Sequence, residues 1–138
     1  MIDLLPGIRG RSEHGQALVE TAIAFPVLLI VALVLVQFAL FYQAEGVVTG
    51  AVQDGARVAA AQDSTLGVGV THTQALLQAG LGRSAGQVTV QGSDGASTVT
   101  IQAQGRLQLI IPWVGAASLP LQARSTISKE RFRVGPGG

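Results

Sequence analysis

Few residues in this chain have the type and spacing to do chemistry. There is no cysteine, which excludes disulfides and thiolate metal sites. The two histidines, His14 and His72, lie on opposite sides of a long apolar run. A catalytic metal site needs about three protein ligands, and His72 has no ligand pattern beside it, so it reads as a polar surface residue next to a helix cap. No Ser/His/Asp arrangement can be assembled around it. The glycines of GVGVTHTQ, residues 67–74, lack phosphate-loop spacing. Two other features carry charge in a pattern. Asp54 and Arg57 stand three apart, close enough to meet on a helix surface. Glu20 is a lone carboxylate at the mouth of a run, Thr21 through Tyr42, that contains no charged residue. In the first turns of a helix it would gain about 0.3–1 kcal/mol from the helix dipole. Among apolar helices it would instead be costly until a cation met it.

The elements that must position Glu20 follow from composition. Of 138 residues, 48% are hydrophobic and 12% charged, against roughly 25% charged in ordinary soluble domains. The shortfall is concentrated between Ala22 and Phe41, about the ~20 residues that cross a bilayer as a helix. Arg9 and Arg11 precede this run, and basic residues beyond it begin at Arg57. Cations flanking a span stay on the cytoplasmic side, so the expected orientation is amino terminus in, carboxy terminus out. The run exceeds a signal-peptide core, and the YQAEGV that follows is a poor cleavage site, so it reads as retained. A net charge of +1 gives no electrostatic case for nucleic acid.

The helix is expected to continue to about Gln62, giving a span at about 22–42 and an extramembrane part at 43–62. Gly46, Gly50 and Gly55 each cost about 1 kcal/mol against alanine there. Gly46 with Gly50, and Ala51 with Gly55 and Ala59, form two small-residue ladders suited to close helix packing; a kink or frayed end is the alternative. Residues 63–71 break the pattern. Thr71 and Gln74 have capping-box spacing for a short helix ending near Gly82. The period then switches to two, predicting strands at 87–91, 97–109 and 121–132 with a GSDG turn at 92–95. Gly105 suggests a bulge or bend. Pro112 and Pro120 bracket an apolar loop at 110–120, with Trp113 as a core or interface anchor. The fold expected is α+β: a long amino-terminal helix, a short helix and a small three-stranded antiparallel sheet, with 63–132 as an extracytoplasmic head and 133–138 as a flexible tail.

The amino-terminal residues also carry a resemblance. Gly15, then Gln16, then Glu20 five residues after the glycine, then the apolar run, resembles the processing site of type IV prepilins. With Pro26 inside the run and Asp54-Gly55-Ala56-Arg57 followed by Ala59 beyond it, residues 10–62 resemble the TadE-like family of minor pilins, or pseudopilins, of tight-adherence (Flp) pili. The resemblance implies a leader, 1–15, removed by a prepilin peptidase after Gly15. The new amine of Gln16 would pair with Glu20 within one chain or between neighbours. It further implies packing of the helix into a filament with other major and minor pilins and the assembly platform, for pilus biogenesis and surface adhesion. No cofactor, metal or enzymatic activity is expected. Gln16 departs from the aromatic or Met found at mature position one of many type IV pilins, and a freed Gln can cyclise and lose its charge. Arg57 would tie the helix to the sheet or to a neighbouring subunit. The location implied is the cytoplasmic (inner) membrane, single-pass, and the extracellular pilus. Two other readings stay open at this point: an uncleaved bitopic scaffold, and a tethered ligand-binding envelope domain whose pocket wall is 110–120.

Overall fold

The structure, a computed structural model, describes residues 9–111 and 115–129, with side-chain surroundings for 15–110 and 115–129. The chain divides into two compact units, Met1–Gln37 and Phe38–Gly138. Helix α1 (Arg9–Ala60) belongs to both. The remaining elements are α2 (Leu66–Leu81), a 3-10 helix (Gly82–Gln87), and strands β1 (Val88–Asp94), β2 (Thr98–Ile111) and β3 (Gly115–Ser128).

In the first unit α1 is an apolar helix with one internal proline, Pro26. Proline removes the hydrogen bond that its N–H would make to the carbonyl four residues back, at Ala22. The Thr21 hydroxyl donates to the Ala17 carbonyl at 2.9 Å, so this polar side chain is satisfied within its own helix. Gly15–Ala60 is long and apolar enough to cross a membrane.

In the second unit the carboxy-terminal part of α1 and all of α2 cover one face of an antiparallel sheet of order β1-β2-β3. Val48, Val52 and Ala56 of α1 meet Leu77 of α2, and Val99, Ile101 and Ala103 of β2 with Leu121 of β3 complete the core. Helix α1 stops where the Ala61 amide bonds back to the Arg57 carbonyl at 3.1 Å and Asp63 turns left-handed, with φ 66°. Asp is one of the few non-glycine residues that tolerate that region.

Four sequence expectations change here. Helix α2 begins at Leu66, with Thr65 as its cap accepting from the Val68 amide at 3.4 Å; Thr71 lies inside it. The glycines at 67–69 therefore do not mark a loop. A Cβ on Gly69 would lie 2.6 Å from the Gly55 carbonyl oxygen and 2.4 Å from the Ala59 Cβ, so glycine is what lets α2 approach α1. Gly105 makes no bulge: the β2–β3 ladder keeps register through it, opposite Leu121, and the β1–β2 ladder ends on it, opposite Val88. A Cβ there would sit 2.6 Å from the Gln87 carbonyl oxygen, where the chain enters β1. The residues at 92–94 are strand, which moves the first turn to 95–97.

The expected apolar loop at 110–120 is corrected as well. Residues 110–111 extend β2 and 115–120 begin β3, with Ile111 opposite Gly115 and Arg106 opposite Pro120. Strand β3 is an edge strand, where proline is tolerated because its missing N–H can face outward. Pro112 and Trp113 lie outside the described residues, as do residues 130–132 of the expected third strand and the 133–138 tail.

Alternation sets the two sheet faces. Odd-numbered β2 positions turn inward, and Val99, Ile101, Ala103 and Leu109 are buried. The outward face is built from rows set by the register: Thr89, Gln104 and Gln122; Gln91, Gln102 and Arg124; Ser93, Thr100 and Thr126.

Candidate assembly segment

Glu20 lies on α1 one helical turn after Gln16, and both are exposed. Among the described residues its carboxylate has no hydrogen-bond or ion-pair partner. Helix α1 passes through Gly15 and Gln16 without a break. Around and beyond Glu20 the helix shows its apolar side chains on all sides: Leu18 is 72% exposed, Ile23 67% and Phe25 60%, and the pattern continues to Leu40. Leaving each such side chain in water forfeits roughly 1.5–3 kcal/mol. A surface of that size requires a lipid or protein environment, and Glu20 stands at its edge.

The small-residue ladders separate. Gly46 and Gly50 are exposed, and a Cβ at either would meet nothing within 4 Å. Ala51, Gly55 and Ala59 are buried on the side facing α2. A Cβ on Gly55 would lie 1.8 Å from Thr73 Oγ1 and 2.8 Å from the Gly69 carbonyl oxygen. Thr73 fills the space that Gly55 leaves and donates its hydroxyl to that same Gly69 carbonyl at 2.8 Å. Further along, a Cβ on Gly80 of α2 would lie 2.4 Å from Val47 Cγ1. The two helices thus run antiparallel at close range, each supplying glycine where the other presses in.

Asp54 does not turn to Arg57. Its carboxylate accepts a hydrogen bond from His72 Nε2 of α2 at 2.7 Å. An ionised carboxylate can only accept, which puts the proton on Nε2. Both side chains are over a third exposed, at 38% for His72 and 50% for Asp54, so the pair contributes under about 1 kcal/mol. Arg57 is exposed and has no side-chain partner among the described residues.

Sequence reading missed the His72–Asp54 and Thr73–Gly55 meetings because it started α2 too late. The available signal was Gly69, Thr73 and Leu77, an i, i+4 series that continues the helical period upstream. Among the described residues no cluster of three or more His, Asp or Glu could hold a metal.

The TadE-like protein family model matches residues 15–57. This segment is similar to TadE-like proteins. The match opens at Gly15, takes in Glu20, Pro26 and the exposed apolar stretch, and closes on Arg57. The family is associated with tight-adherence pilus biogenesis. No curated protein and no solved structure shows significant similarity to the chain. The TadE-like segment thus contains both Glu20 and the glycine that receives α2.

Proposed function

We propose that this chain is a minor pilin or pseudopilin of a tight-adherence, Flp-type pilus. It is inserted in the cytoplasmic membrane amino terminus inside, cut after Gly15 by a prepilin peptidase, and assembled through its long helix with other pilins. Its role is structural rather than catalytic. The observation that carries this reading is Glu20, without a partner among the described residues, at the edge of an exposed apolar helix within a TadE-like segment. Cutting before Gln16 would create an amine one turn from Glu20. In an apolar environment an unpaired carboxylate is costly and a paired one is tolerated. Pairing in the assembled state therefore favours subunits in register. Residues 44–60 of α1 serve in this scheme as part of the extracytoplasmic α+β head, whose core they help to form.

The continuity of α1 across Gly15 and Gln16 favours a second reading, a permanent bitopic anchor whose helix is never cut. The mass and amino-terminal sequence of the protein recovered from its host separate the two. A chain beginning at Gln16, free or cyclised, is the expected result. A chain retaining residues 1–15 in the presence of a competent peptidase would move the assignment to the bitopic anchor.

A further inference from the structure

The outward sheet face differs chemically from the rest of the molecule. Its rows carry amides and hydroxyls, and its described charges are Arg124 and Arg106, with no described carboxylate. The acidic residue of β1, Asp94, turns to the other face and pairs with Lys129. Two shallow polar depressions lie side by side here and share Gln102 and Arg124 as walls. Part of the face is already tied: Gln102 Nε2 donates to Gln91 Oε1 at 3.1 Å, and the hydroxyls of Thr100 and Thr126 meet at 2.8 Å. The Arg124 and Arg106 side chains have no partner among the described residues. Arg106 stands four residues beyond Gln102 on β2, and Gln102 lies opposite Arg124. At about 3.3 Å per residue and 4.8 Å between strands, the two arginines are about 14 Å apart at the backbone.

We propose that this face binds an acidic polysaccharide, a polymer bearing carboxylates among hydroxyls, laid along the strands from Arg124 to Arg106. Charge complementarity points to an anion, since among the described residues two cations without a partner stand on a surface that carries no carboxylate. The guanidinium fork matches a carboxylate with two parallel hydrogen bonds. Gln and Thr side chains both donate and accept, as a sugar hydroxyl does. Other partners fit less well. A protein interface wants aromatic or large apolar anchors, a bilayer wants an apolar face, and single-stranded nucleic acid wants stacking rings; the three rows provide none of these. The depressions are too shallow to enclose a small ligand, whereas a polymer needs only a track.

The test uses the full chain in micelles of a neutral detergent, titrated with polygalacturonate, with dextran and polyphosphate of similar length as comparators. Saturable binding of polygalacturonate is expected. The double variant Arg106→Gln/Arg124→Gln should weaken it at least about tenfold, as loss of two charge-assisted contacts predicts. Arg83→Gln, which removes the same charge from the 3-10 helix, should stay within about twofold by the same reasoning. Far-UV circular dichroism checks that each variant is folded, as substitution at exposed positions predicts. No binding of polygalacturonate would overturn the proposal. So would equal weakening by Arg83→Gln, equal affinity for dextran, or equal affinity for polyphosphate, which would make the face a general anion surface. None of these outcomes bears on amino-terminal processing.

Discussion

At the scale of single residues, Glu20 and Gly55 show two ways in which one atom group acts. Glu20 contributes nothing visible to the fold, since its carboxylate is exposed and unpartnered among the described residues. Glu20→Ala should therefore leave membrane insertion and head stability unchanged while lowering pilus number on the cell surface, counted by electron microscopy. Normal piliation in that variant would remove the assembly role. Gly55 acts through absence. Gly55→Ala drives a methyl into Thr73 and towards the Gly69 carbonyl, and overpacking of this kind costs about 1–3 kcal/mol. Gly50→Ala meets open space and should raise the stability of the isolated subunit by about 0.5–1 kcal/mol. Denaturant melts in micelles, followed by circular dichroism, compare the two. If Gly50→Ala lowers pilus number despite a more stable subunit, the exposed ladder packs between subunits; unchanged piliation assigns it no such role.

At the scale of elements, the α1–α2 pair is the part that sequence periodicity misjudged. The glycines at 67 and 69 fell in the stretch read as breaking the helical pattern, yet Gly69, like Gly55 and Gly80, lies at the contact between the two helices. The start of α2 can be tested directly. Thr65→Ala removes the side-chain cap on the Val68 amide and should cost about 1 kcal/mol. Thr71→Ala, in the exposed interior of the helix, should stay within about 0.5 kcal/mol. Equal losses at both sites would contradict the observed cap. In the sheet, the long strand was readable because its side chains alternate without interruption. Its extension to Ile111 and the start of β3 at Gly115 were not, since Pro112 and Pro120 bracket the stretch and a proline argues against a strand until the strand is known to be an edge. Asp54 and His72 were each visible as polar residues, but their meeting depended on a helix phase that only packing supplies.

At the scale of the whole molecule, one chain carries two surfaces with opposite solvent demands. Between Leu18 and Leu40 the helix exposes apolar side chains, while the sheet turns a polar face outward. The chain should fractionate with membranes and resist extraction by high salt or alkaline wash, yielding only to detergent. Release by salt alone would mean that the apolar helix is not embedded.

The sequence alone determined the long apolar helix, the α+β order and the three strands, because these rest on periodicity and composition that are local to each segment. It also supplied Gly15, Gln16 and Glu20 as a linear motif. Tertiary structure decided where helix α2 begins, why Gly69 and Gly105 are glycines, that Pro120 sits in an edge strand, and which partner Asp54 takes. Each of these depends on an atom from a distant segment arriving within contact distance. A carbonyl of one helix pressing on the Cα of another leaves no periodic trace in either. The charge character of the outward sheet face belongs to the same class, since register alone places Arg124 beside Gln102 and leaves Asp94 on the opposite side.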